Sequence, residues 1–166
     1  MKILVTGGAG FIGSFIVDEL VKKGHSVVVF DNLELQVHLG KLPHYLNKNA
    51  EFVKGDVNNK DALKNAIKDV DVIFHQAAAV GVGQSMYEIS KYVNANSLGT
   101  AMLLEILANE EHDVKKLVVA GSMSSYGEGS YACEKCGLVE PGLRAEQQMT
   151  QRDWEIHCPT CDSYAK

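Results

Sequence analysis

The sequence predicts an α/β fold, a doubly wound parallel sheet that gives way to a small cysteine-bearing module near its end. Three observations carry this. An apolar run from Ile3 leads into a glycine-rich turn and a helical pattern; strand and helix patterns then alternate as far as Gly121; and two Cys-x-x-Cys pairs follow. Strands alternating with helices are the pattern of a parallel sheet covered on both faces.

The first strand is Lys2 to Val5, and Thr6-Gly7-Gly8-Ala9-Gly10-Phe11-Ile12-Gly13 follows it. The helix that this turn opens shows an apolar stripe at Ile12, Phe15, Ile16 and Leu20. Gly7 suits the tight turn, Gly10 leaves bare backbone beside a diphosphate, and Gly13 lets helix and strand pack closely. The phosphates would lie on the unpaired N–H groups of Phe11, Ile12 and Gly13, at the positive end of the helix dipole. The second strand, His25 to Phe30, has a core of Val27-Val28-Val29-Phe30 too apolar to be half exposed. Asp31 closes it, about twenty residues past the glycines, where a carboxylate accepts hydrogen bonds from both ribose hydroxyls of NAD. That carboxylate would repel a 2′-phosphate, and the first half of the chain contains no arginine, so NAD is favoured over NADP.

Further strands are predicted at Glu51 to Lys54, Val70 to His75 and Lys116 to Gly121. Helices are predicted at Asp61 to Lys68, around Ser85 to Tyr92, and most strongly from Val93 to Asn109, with Leu98, Met102, Leu103, Ile106 and Leu107 on its apolar side. Gly40 and Pro43 break any periodicity between Gln36 and Asn49. From Tyr126 onward glycine, cysteine and charge dominate, which marks an insertion and not another sheet unit.

With 166 residues the chain has room for one domain with a real core, burying about two-thirds of its unfolded surface. A formal charge of −5 without any basic cluster argues against nucleic acid. No apolar stretch reaches membrane-spanning length, so no membrane partner is expected. A buried N-terminal strand is not a signal peptide, and the expected compartment is the cytoplasm.

The carboxyl ends of parallel strands carry the candidate chemistry. Asp56, in Gly55-Asp56-Val57, is placed to bind an adenine amino group. Ala77-Ala78-Ala79 would let a cofactor lie against the backbone, and His75 is expected to be a buried strand-end histidine. Asn96, ahead of Leu98-Gly99-Thr100, is suited to bonding backbone across the helix. The serine hydroxyls of Gly121-Ser122-Met123-Ser124-Ser125-Tyr126-Gly127 fall at the nicotinamide end. The four cysteines form Cys133-Glu-Lys-Cys136 and Cys158-Pro-Thr-Cys161, a four-thiolate zinc-ribbon pattern. Four thiolates leave no open position, so this zinc is structural, with His157 an unneeded extra ligand.

Together these residues resemble the extended short-chain dehydrogenase/reductase family, the NAD-dependent nucleotide-sugar epimerases and dehydratases with a Rossmann-type fold. The resemblance rests on Thr6-Gly7-x-x-Gly10-x-x-Gly13, Asp31-Asn32, Gly55-Asp56-Val57, His75-x-Ala77-Ala78, Asn96-x-x-Gly99-Thr100 and Ser122-x-x-x-Tyr126-Gly127. It implies an NAD-binding Rossmann domain over residues 1–128, with Asn32, Val57 and Asn96 among the cofactor contacts, and a zinc-ribbon-like insertion over 129–166. Within the family, Asp31 to His38, Gln76 to Ser85 and the cysteine insertion with Arg152-Asp-Trp154-Glu155 look most like the dTDP-L-rhamnose 4-epimerase branch. UDP-glucose 4-epimerases are close relatives of it.

The implied activity is a transient oxidation at sugar C4 followed by return of hydride to the opposite face. Ser122 matches the serine that hydrogen-bonds the reacting oxygen, and Ser124 is placed to touch the sugar. Met123-Ser124 stands where a 4,6-dehydratase of the family carries Asp-Glu. The alternatives are that dehydratase, a 4-reductase, or a non-catalytic NAD-binding module. The family's base is the tyrosine of a helical Tyr-x-x-x-Lys pair, and none is expected after the fifth strand; Tyr164-Ala165-Lys166 has the wrong spacing. The resemblance therefore implies the front part of a longer enzyme, inactive alone. The whole enzyme is expected to take a nucleotide-sugar and to pair as a homodimer through the Val93–Asn109 helix.

Overall fold

A computed structural model describes all 166 residues, which form two compact units, Met1–Ala120 and Gly121–Lys166. The division falls eight residues ahead of the boundary expected after residue 128.

In the first unit, strands β1 (Lys2–Thr6), β2 (Ser26–Asp31), β3 (Glu51–Lys54), β4 (Val72–His75) and β5 (Lys116–Val119) form one parallel sheet in the order β3-β2-β1-β4-β5. Helix α1 (Phe11–Lys22) joins β1 to β2, and α3 (Lys60–Ile67) joins β3 to β4, after a single turn α2 (Leu35–His38) in the β2–β3 connection. The order reverses at β1, so β2 and β4 flank its carboxyl end and open the crevice where such sheets bind ligands.

Alternation along each strand feeds two cores. Leu4, Val28, Phe30 and Ile73 pack under α3 with Leu63, Ala66 and Ile67, and with Leu103 and Ile106 of α6 (Gly99–Asn109). Val5, Val27 and Val29 face the other way and pack with Val17, with Ile16 and Leu20 at the margin. Both faces of β1 and β2 are covered, as their apolar runs require, whereas the edge strand β5 stays partly open, with Val119 exposed.

The buried face of α1 differs from the stripe read from sequence. Gly13, Ser14 and Val17 are buried, whereas Ile12 and Phe15 are more than 60% exposed. The reason is Gly13: the helix approaches the glycine-rich turn along its side-chain-free edge, which rotates the bulky residues outward. The predicted Ser85–Tyr92 helix divides into two turns, α4 (Val82–Ser85) and α5 (Ile89–Tyr92). The Val93–Asn109 helix is continuous, but its first part, Val93–Leu98, is π-helical before α6 begins. A π segment inside a helix rotates the side chains that precede it and recurs at functional sites. Here it carries Asn96.

In the second unit, a 3₁₀ turn (Met123–Tyr126) precedes a hairpin of β6 (Tyr131–Cys133) and β7 (Gly137–Val139), and a short helix α7 (Glu146–Thr150) follows. The final residues return to the hairpin, with Ala132 and Lys166 exchanging backbone bonds of 2.6 and 3.0 Å. The core of this unit is small: Cys133, Val139, Ile156, Cys158 and Ala165.

Candidate functional site

The turn from β1 to α1 is built by close backbone approach. Gly7 takes φ +67°, and a Cβ there would sit 2.7 Å from the backbone of Ala77. A Cβ on Gly13 would lie 2.2 Å from the Gly7 carbonyl oxygen, so only glycine fits. Gly10 is different: its nearest obstacle would be the Gly7 oxygen at 3.3 Å, which leaves its outer side open. No side chain caps α1 and its first turn carries no acidic residue. The N–H groups of Phe11, Ile12 and Gly13 therefore point outward without an acceptor, a positive concavity ready for an anion.

Asp31 is 8% exposed and is fastened to this turn. Its Oδ2 accepts from the Ala9 N–H at 3.1 Å and its Oδ1 from the Leu33 N–H at 2.9 Å. Each oxygen keeps a further lone pair for a ligand hydroxyl. Asn32 donates to Asp56 at 2.9 Å, which joins the ends of β2 and β3, and the other Asp56 oxygen accepts from the Asn58 N–H. Val57 is buried in the core, and a Cβ on Gly99 would meet it at 2.5 Å, so Val57 has only backbone to offer a ligand. Tyr45, which sequence reasoning passed over, donates to the Ala9 carbonyl at 2.8 Å and ties the β2–β3 connection to the same turn.

The exit of β4 is held by a chain of side chains. His75 is 3% exposed, as expected, and lies between Thr6 (2.7 Å) and Thr100 (3.0 Å). Burial holds its imidazole below the ordinary histidine range. Asn96 uses both ends of its amide on Ala79, accepting from the N–H at 2.7 Å and donating to the carbonyl at 3.1 Å. It positions the Ala77–Ala79 loop. Farther out, Gln36 and Gln84 exchange amide hydrogen bonds of 3.0 and 3.2 Å and join the loops that follow β2 and β4. A pattern of side-chain amides so far apart in sequence gave no signal that would have paired them.

In the second unit, Ser122 caps the 3₁₀ turn, its hydroxyl oxygen accepting from the Ser124 N–H at 3.2 Å; Ser122, Ser124 and Tyr126 are all exposed. One literal Tyr-x-x-x-Lys spacing does follow β5, at Tyr131 and Lys135, and the sequence reading missed it. It is not a helical pair: Tyr131 lies on β6 and Lys135 in the turn after it.

The four cysteines converge. All four Sγ atoms lie within 4.8 Å of one another, and those of Cys133 and Cys161 are 3.6 Å apart. Tetrahedral Zn–S bonds of about 2.3 Å require S···S edges of about 3.8 Å, so the thiols fit such an ion. None is in a disulfide. Hydrogen bonding with Cys161 pushes the Cys136 thiol up to about 12, and hydrogen bonds from Ser163 bring Cys161 down to about 6. His157 is excluded as a ligand because Asp162 (3.0 Å) and Asp153 (2.8 Å) occupy both ring nitrogens.

Comparison with known proteins is consistent across sequence and fold. The model of the NAD dependent epimerase/dehydratase family matches residues 3–141. The dTDP-L-rhamnose 4-epimerase of Burkholderia thailandensis is 36% identical over 158 residues, covering 93% of this chain and 44% of that protein. The UDP-glucose 4-epimerase of Thermotoga maritima, solved with UDP-glucose, superposes with a TM-score of 0.64 at 33% identity, over 84% of this chain and 42% of its own. The UDP-glucose 4-epimerase of Brucella ovis, solved with NAD, gives 0.64 at 30% identity, over 76% and 37%. The chain thus spans less than half the length of these relatives. With a matched region that runs from β1 through the cysteine hairpin, this chain belongs to the NAD-dependent epimerase/dehydratase family.

Proposed function

We propose that this chain is the NAD-holding portion of a nucleotide-sugar 4-epimerase, with dTDP-L-rhamnose as the sugar nucleotide. The observation that carries this is the Asp31 carboxylate, anchored on Ala9 beside the uncapped start of α1. The Phe11–Gly13 N–H groups neutralise the cofactor's diphosphate, and the free lone pairs of Asp31 accept its ribose hydroxyls. Asp56 accepts from the adenine amino group, while Asn32 fixes the direction of that carboxylate. Bound NAD supplies reversible hydride acceptance at sugar C4. Ser122 donates to the sugar 4-oxygen and Ser124 contacts the ring. The rhamnose assignment rests on the long match to the Burkholderia thailandensis enzyme, which covers 93% of this chain and so reaches past the first cysteine pair.

The four cysteines hold one structural zinc, whose site is complete within the chain. Reduced thiols suit a cytoplasmic protein. No helix is long and apolar enough to cross a membrane. The whole enzyme pairs as a homodimer through the Val93–Asn109 helix, on which Val93, Leu98 and Leu104 are exposed. No helix of this chain carries a tyrosine with a lysine four residues on, so the chain alone binds NAD and turns over little. The test is incubation with NAD and dTDP-L-rhamnose, followed by calorimetry and product analysis. Saturable NAD binding with at most a trace of the 4-epimer is expected. Accumulation of a 4-keto sugar nucleotide with an equivalent of NADH, or no NAD binding, would overturn the assignment.

A further inference from the structure

We infer that Arg144 couples the cysteine centre to the Ser122–Gly127 loop, so that zinc binding orders the residues proposed to touch the sugar. This rests on the zinc and serine assignments above.

Three observations within the second unit carry it. The loop is joined to β6 through Gly127-Glu128-Gly129, and both glycines have positive φ, +69° and +87°, with nothing within 4 Å of their Cβ positions. Glycine gives this linker more conformational freedom than other residues would, so the loop needs an anchor close beside it. Glu128 is the one side chain between the glycines, and its carboxylate accepts from Nη1 of Arg144 at 2.5 Å. Both side chains are about a quarter exposed, 27% and 26%, so the pair is shielded from solvent far more than an ordinary surface ion pair. Finally, the same guanidinium donates through Nε to the Trp154 carbonyl at 2.8 Å.

Trp154 lies in the irregular segment that leads from α7 to the second cysteine pair. Two residues on, Ile156 is buried against Cys133 and Cys158, and Gln148 of α7 donates to the neighbouring Glu155 carbonyl at 2.7 Å. The path therefore runs from the thiolates through Ile156 and Trp154 to Arg144, then to Glu128 and the serine turn. Arginine suits it because its rigid fork reaches a carboxylate and a carbonyl at once; a lysine ammonium on a single stem does not hold both in this geometry. Without the ion, the four thiols and the three other core residues, Val139, Ile156 and Ala165, do not fix the segment, and the guanidinium loses its base. Arg144 is a positioning residue: it acts on the serines through Glu128.

The experiment uses the chain loaded with Zn²⁺, with metal counted by elemental analysis and backbone order measured by ¹⁵N relaxation. In the zinc-loaded wild type, Ser124–Gly127 should be rigid, with order parameters near ~0.85, and chelation should drop them below ~0.6 together with the cysteine knuckles. In Arg144→Met the zinc content and the knuckle order should stay at wild-type values while Ser124–Gly127 alone becomes mobile. Glu128→Gln, which keeps an acceptor but not the charge, should fall between. If Arg144→Met binds zinc and leaves the loop rigid, the coupling is wrong and the zinc assignment stands. If the wild type binds no zinc, the zinc assignment itself fails.

Discussion

Nδ1 of His75 lies 2.7 Å from Oγ1 of Thr6, and the neighbours fix the direction of that bond. Thr100 donates its own proton to the Asn96 carbonyl at 2.7 Å, so its oxygen accepts from Nε2–H of His75. Nδ1 is then the acceptor and Thr6 the donor, and the Thr6 oxygen in turn accepts from the Ala77 N–H at 3.3 Å. A single neutral tautomer satisfies every partner and links the π segment, β4 and the glycine-rich turn.

That arrangement predicts a pH dependence. The folded imidazole titrates below its ordinary value because it is buried, so the unfolded chain binds a proton that the native state refuses. The stability is complete above the ordinary value of about 6.5 and declines as pH falls below it. His75→Gln should cost about 1–3 kcal/mol at neutral pH by leaving hydroxyls unpaired. It should also remove part of the acid-side decline. Urea melts of both proteins at neutral and mildly acid pH make the comparison, and parallel declines would refute a His75 held neutral by burial.

Two glycine substitutions separate fold from ligand. Gly13→Ala places a Cβ 2.2 Å from backbone oxygen, which no rotamer relieves, and should destabilise by roughly 3 kcal/mol or more. Gly10→Ala meets only one atom at 3.3 Å and should melt within about 1 kcal/mol of wild type, yet fill the space a diphosphate needs. Thermal melts with and without NAD read both effects. A Gly10→Ala chain stabilised by NAD as strongly as the wild type would contradict the diphosphate position.

The cysteine unit should depend on metal for its order, since so small a core cannot supply it. A zinc ion held by four thiolates contributes on the order of 10 kcal/mol. Trp154 is the only tryptophan, so its emission reports on this unit alone. Chelation should shift that emission and expose Gly121–Lys166 to protease while the sheet unit resists, and Co²⁺ should give thiolate charge-transfer bands. A chelated chain with unchanged emission would refute a structural metal.

The sheet was legible because its strands are continuous apolar runs punctuated by glycine. Strand extents left only end residues to correct: Thr6 and Asp31 belong to their strands, whereas His25, Val70, Asp71, Ala120 and Gly121 do not. The face of α1 was not legible, because a helical wheel weighs Ile12 and Phe15 as core and cannot see that Gly13 is the contact edge. The π segment at Asn96 was also hidden, since an extra residue in a helical turn leaves periodicity nearly unchanged. Asp31 and the cysteine spacing were legible because motif distance dictates geometry there. Partners such as Tyr45–Ala9 and Gln36–Gln84 have no sequence pattern, since tertiary placement alone brings them together.

The most direct test is a calorimetric titration of the chain with NAD and, separately, with NADP, repeated on Asp31→Ala. One saturable NAD site per chain, a much weaker response to NADP, and loss of that preference in the variant are predicted, because one anchored carboxylate receives the ribose and repels its phosphate. No saturable heat up to about 1 mM NAD, or equal binding of the two dinucleotides by the wild type, would contradict it.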